Sequence, residues 1–61
     1  MIRYTIEKQC WEEWYKVPLG LYDLCEFTEV VEYARYCLMD YRKQFPSSDF
    51  RLIEWSGKEI K

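Results

Sequence analysis

The stretch FRLIEW, residues 50–55, decides how this chain is layered. A half-buried strand alternates apolar and polar side chains so that one face meets the core and the other meets water. Here Leu52 and Ile53 are adjacent, and Trp55 follows two positions later. If Phe50 and Leu52 point to the core, Ile53 and Trp55 point away from it. The opposite register exchanges the pairs, because a one-residue slip turns every side chain to the other face. Either way the strand carries a second apolar face.

Upstream of this strand, PSSD at 46–49 reads as a turn, and Pro46 stops whatever precedes it as a helix. The preceding segment is helical in pattern. Val30, Val31, Ala34, Cys37, Leu38, Tyr41 and Phe45 form one broad stripe at helical period. Thr28 is the expected N-cap, Glu29 complements the positive end of the dipole, and Arg42 and Lys43 suit the negative end. The cap is partial, because Val31 stands where a capping box requires Glu or Gln. Tyr36 and Met39 fall on the side opposite the stripe, among Glu32, Asp40 and Lys43. They are either solvated or part of a second contact surface, where both residue types are enriched.

Toward the N-terminus, Ile2, Tyr4 and Ile6 alternate with Arg3, Thr5 and Glu7, a strand with an identifiable inward face. QCWEE breaks the alternation, and Trp14, Tyr15, Lys16 and Val17 resume it before Pro18. Residues 2–17 are therefore expected to form a hairpin with its loop near Cys10 to Glu12. Pro18-Leu19-Gly20 marks a turn, and LYDLCEF, residues 21–27, fits either a short strand or an irregular connection. Gly57 opens a short charged tail.

These elements predict an α+β fold in one domain over residues 1–61. A single layer of largely antiparallel sheet, three or four strands, carries one α-helix on one face in the order β-β-(β)-α-β. One helix covers one sheet face. The uncovered face is expected to hold Arg3, Thr5 and Glu7, Trp14 or Tyr15 according to register, and either Ile53 with Trp55 or Phe50 with Leu52. A contiguous apolar patch of that kind marks an interface, whereas an isolated exposed Leu or Trp would not.

Composition narrows the function classes. A chain of 61 residues buries only about 60% of its unfolded surface, so dense packing, disulfides, a metal or a partner must supplement the core. Three Trp, six Tyr and three Phe supply dense apolar area. The formal charge of -2 is spread along the chain, too small for a strong field of either sign. Cys10, Cys25 and Cys37 form no C-x-x-C and have no His to complete a zinc site, so the expectation is buried, reduced cysteines and no bound metal. A disulfide with one thiol left over is the alternative. No signal-peptide pattern follows Met1, and no apolar run is long enough to cross a membrane, which points to a cytoplasmic protein.

No catalytic constellation stands in the sequence. There is no His, no G-x-S-x-G and no phosphate-cradling glycine loop. Cys37 lies on the apolar stripe and Cys25 among acids, neither a setting that activates a thiol. Glu12 with Glu13, and Glu29 with Glu32, read as solvated carboxylates. The expectation is a non-enzymatic protein without a cofactor.

Hairpin, helix at FTEVVEYARY, proline turn and the closing strand FRLIEW together resemble, over about residues 2–56, the small accessory proteins that bacteriophages encode. Some of those proteins inhibit host enzymes, including bacterial RNA polymerase, or block host defence systems. The resemblance implies a short, soluble, catalytically inert chain that occupies a surface on a larger host protein. It carries over no site residue.

The expected function is accordingly a protein-binding module, a phage-type inhibitor or modulator of a host protein, acting through the open sheet face. Trp14 and Trp55 are the expected anchors, Ile53 adds apolar area, Arg3 and Arg51 form the polar rim, and Tyr36 with Met39 form the helix patch. One alternative stacks two copies sheet on sheet as an obligate homodimer. Another uses Trp14, Trp55, Arg3, Lys16 and Arg51 as a stacking platform for single-stranded nucleic acid. Glu7, Glu13 and Glu54 interleave with those cations and argue against it.

Overall fold

The computed structural model describes residues 2–20 and 24–60. Its elements are β1 (Tyr4–Cys10), β2 (Glu13–Val17), α1 (Val31–Gln44), β3 (Phe50–Glu54) and β4 (Glu59–Ile60). They form one antiparallel sheet in the order β2-β1-β3-β4, with α1 packed on one face across β1 and β3. The α+β architecture with one helix on an open sheet is the one the sequence predicts. The fourth strand, however, lies in the charged tail rather than before the helix. Gly57 supplies the positive φ (101°) of the turn that brings the tail back beside β3. Of the possible strand over 21–27, residues 21–23 lie outside the described residues, and 24–27 form none.

The β1–β3 register places Ile6 opposite Leu52 and Lys8 opposite Phe50, so Phe50 and Leu52 are the core-facing pair. With Ala34, Cys37, Leu38 and Tyr41 from α1 and Leu19 from beyond β2, they form the core. Tyr4, Val17, Val31 and Ile60 pack at its margin. Tyr41 stacks on Phe50 with ring centroids 4.9 Å apart, and Phe45 joins both rings from the end of the helix. Of the cysteines only Cys37 is buried; Cys10 at the end of β1 and Cys25 in the connection lie at the surface, contrary to the all-buried expectation.

The helix begins three residues after its expected cap. Thr28 pairs its backbone with Tyr4, N–H to C=O in both directions at 2.7 and 2.9 Å, as an isolated bridge on the flank of β1 that β2 does not reach. Its hydroxyl accepts a hydrogen bond from the Val30 N–H at 3.2 Å. The Thr28 carbonyl is directed to the Tyr4 N–H rather than along a helix, and the first intrahelical bond runs from the Ala34 N–H to the Val30 carbonyl, so Val30 occupies the cap position with no side-chain bond.

Two further features fix the connections. Trp11 sits at the first position of the two-residue β1–β2 turn with φ of 62°, a conformation that favours glycine and costs a larger side chain about 1 kcal/mol. The Tyr41 hydroxyl donates to the Pro18 carbonyl at 2.6 Å, tying the helix to the chain that leaves β2. Tyr41→Phe is expected to cost about 1 kcal/mol in urea unfolding at neutral pH. Burial, reinforced by Cys37 and Asp40, pushes the Tyr41 phenol above its ordinary value of 10.0. The unfolded phenol therefore ionises first, and the stability this group provides is lost as pH rises through its folded value. Tyr41→Phe should accordingly lose less stability than wild type in that alkaline range.

Candidate functional site

The sheet face away from α1 is built by the odd positions of β1 and β3 and the even positions of β2. Reading across the register gives successive rows: Trp14 with Gln9; Lys16, Glu7 and Arg51; Thr5, Ile53 and Glu59. The Trp55 N–H donates to the Arg3 carbonyl at 2.8 Å, so Arg3 and Trp55 continue the pairing past the strand ends. Trp14 and Trp55 thus share this face with Arg3 and Arg51. Tyr36 and Met39 stand exposed on the outer side of α1. The sheet and helix lie between the two groups, so they form separate surfaces.

The face is not uniformly open. Glu7 is only 7% exposed although charged. Its Oε1 accepts two hydrogen bonds from Arg51, at 2.8 Å from Nε and 2.6 Å from Nη2, and the Lys16 ammonium lies 3.6 Å from Oε2. Arg51 also reaches Glu59 at 3.9 Å and lies over the Trp14 ring, 4.2 Å from its centroid. Arg51 is therefore engaged within the chain on three sides, with its side chain 29% exposed. The middle of the face is a satisfied ionic cluster, as a buried charge requires.

Ile53 is a correction. It points to this face as its register dictates, yet it is 2% exposed and offers no surface to a partner. Thr5 and Glu59 flank it across the sheet, and Arg51 and Trp55 stand two positions either way along the strand. Thr5 itself is fully buried, and its hydroxyl donates to the Glu26 carbonyl at 2.7 Å, holding the 24–28 segment against the sheet. The monomer thus covers much of its second apolar face with its own connection and its own long side chains.

What remains open is one end. Trp55 is 41% exposed and meets Phe27 edge to face, with centroids 5.5 Å apart. The Arg3 guanidinium stands 4.6 Å over the Phe27 ring, and the Lys16 ammonium 5.4 Å from the Trp55 centroid. Beside them Ile2, Arg3, Glu54, Trp55 and Ser56 line a shallow depression of about 380 Å³. Two aromatic rings edged by two cations place apolar contact area and positive charge side by side. Phe27 was not foreseen as a site residue; the only sequence signal was its place in a stretch of ambiguous pattern, ahead of Thr28.

The hairpin tip carries a different exposed aromatic. Trp11 is 94% exposed and, with Cys10, Glu12, Glu13 and Tyr15, borders an open hollow. The Tyr15 hydroxyl donates to the Glu13 carboxylate, and this bond, with slight burial and Cys10 adding to it, raises the phenol above its ordinary value. Among the described residues no three His, Cys, Asp or Glu side chains are grouped to hold a metal ion, and no helix is long and apolar enough to cross a membrane. No protein-family model matches the chain, and neither a curated protein nor a solved structure is significantly similar to it.

Proposed function

We propose that this chain is a non-catalytic protein-binding module that docks a larger protein on the Trp55 end of the open sheet face. The observation that carries the reading is the Trp55–Phe27 pair flanked by Arg3 and Lys16, a half-exposed aromatic cluster at the end of the sheet, in which the Trp55 N–H is tied to the Arg3 carbonyl and Phe27 comes from the connection that the Thr5 hydroxyl holds. Clusters of this type supply the few residues on which interface affinity concentrates. Trp14, half-buried under Arg51, lies at the opposite end of the same face, beyond the ionic row, and is not part of this contact. The resemblance in layout to phage accessory proteins adds a class of partner, a cytoplasmic host protein whose activity the bound module modulates.

The test is capture by affinity-tagged chain from bacterial lysate, followed by titration of the captured protein with wild type and with Trp55→Ala. Trp55→Ala is expected to weaken binding by about 2 kcal/mol, roughly 30-fold, with an unchanged far-ultraviolet circular dichroism spectrum. Arg3→Ala should weaken it less. If both variants bind the captured protein as wild type does, this face is not the docking site.

A further inference from the structure

The two edges of the sheet differ. β4 is two residues long, too short to template another strand. β2 offers five residues, Glu13–Val17. Cys10 and Glu13 flank a two-residue turn, so their pair and every second pair beyond it exchange the ladder hydrogen bonds. That parity turns the backbone N–H and C=O of Trp14 and Lys16 outward. The opposite flank confirms it: Gln9, the partner of Trp14, directs its own N–H away from β2, to the Asp49 carbonyl at 2.9 Å. Among the described residues no backbone group bonds to the outward groups of Trp14 and Lys16. Edge strands are ordinarily guarded by an outward charge or a proline. Here Lys16 leans over the sheet toward Glu7 and Trp55, and Pro18 lies past the end of the strand.

We propose that β2 pairs antiparallel with β2 of a second copy of this chain, about a two-fold axis at Tyr15, joining two four-stranded sheets edge to edge. Parity and charge select the register. Outward groups must meet outward groups, which allows symmetric pairings centred on Trp14, Tyr15 or Lys16. Centring on Lys16 sets two ammonium groups opposite each other, and centring on Trp14 leaves Lys16 and Val17 outside the partner strand. Centring on Tyr15 uses the whole strand. It sets Trp14 opposite Lys16 twice, on the face away from the helices, with no like charges facing each other.

The same register accounts for the two most exposed large apolar side chains among the described residues. Trp11 and Leu24, 94% and 82% exposed, lie toward opposite ends of β2 within one chain. Extended past the strand end, the pairing sets Trp11 of one copy opposite Leu19 of the other. There Lys16, Val17, Pro18, Leu24 and Glu26 line a groove of about 230 Å³. The positive φ at Trp11 then holds an indole out for a neighbour. An axis through an antiparallel strand pair stands perpendicular to the sheet, so both Trp55 clusters would emerge on the same side. The edge pairing does not rest on the function proposed above, since it uses a different surface.

Sedimentation equilibrium of the full chain, from low to several hundred micromolar, tests the pairing. Wild type is expected to reach twice its 7.6 kDa mass. Tyr15→Glu and Tyr15→Lys should each stay monomeric, because the axis places like charges directly opposite each other. Their equimolar mixture should dimerise at least about tenfold more tightly than either alone. Trp55→Ala should dimerise as wild type does, even where it has lost another partner. In wild type the amide protons of Trp14 and Lys16 should become protected from exchange as concentration rises, a readout that needs no variant. The proposal fails if wild type remains monomeric, if either charged variant alone still dimerises, or if their folded mixture does not associate. It fails equally if Trp55→Ala dissociates the dimer, which would mean face-to-face stacking, or if those two amides stay unprotected in the dimer.

Discussion

Leu52→Ala is expected to leave the chain largely unfolded at room temperature. Leu52 is 1% exposed at the centre of β3, between Ile6 and Ile60 across the sheet and on the face that α1 covers. Truncating a leucine so placed costs about 3–4 kcal/mol, the lost transfer energy plus the cavity left behind. A single core of this size rarely supplies more than about 3–5 kcal/mol in total. The site has little capacity to collapse, because its neighbours are held by strand pairing on both sides and by the Tyr41–Phe50 stack beside it. Urea unfolding followed by circular dichroism checks the result. A variant that unfolds within about 1 kcal/mol of wild type would show that the helix does not pack on the Leu52 face as described.

That face was legible in the sequence because its periodicity is unambiguous on two elements at once. The alternation of Tyr4 and Ile6 and the helical stripe through Ala34, Cys37, Leu38 and Tyr41 each specify one buried side. FRLIEW alone leaves two registers open, and the structure resolves them through the pairing of Ile6 with Leu52. The helix start was misread for a physical reason. Thr28 is a good cap locally, but Tyr4 is far away in sequence and has an unpaired backbone where β2 ends, and the bridge it forms with Thr28 outcompetes the cap. Nothing in a local pattern reveals such a partner.

The second face was legible in outline and not in content. Counting one helix against two apolar faces leaves one side without a helix, and the strand register then puts Trp14 and Trp55 on it. It overstates how bare that side is, because an irregular connection can also cover a sheet. The Thr5 hydroxyl binds Glu26, Phe27 lands on Trp55, and the apolar surface left for a partner contracts to one end. Glu7 marked the centre of the face as polar from the outset. Its burial could not be foreseen, because it depends on Lys16 and Arg51 arriving from two other strands in the same row.

That row makes Arg51→Leu the second large effect. Removing the guanidinium leaves the Glu7 carboxylate, whose side chain is 9% exposed, with the Lys16 ammonium at 3.6 Å as its remaining charged partner, and it removes the cation stacked on Trp14. Breaking one side of a buried, hydrogen-bonded pair costs more than the pair contributes, because the survivor keeps its desolvation penalty. Arg51→Leu should therefore lose about 2–3 kcal/mol in urea unfolding. Glu7→Leu should lose less, because the Arg51 side chain is 29% exposed and can reach water and Glu59. The combined variant Glu7→Leu/Arg51→Leu should recover most of the loss, since two apolar side chains facing each other across β1 and β3 leave no charge stranded. An additive double mutant would mean that Glu7 and Arg51 act independently. Recovery would instead show that the ionic row specifies which part of the face stays closed, confining the exposed aromatic surface to Trp55 and Phe27, at a cost in stability that a wholly apolar face would not carry.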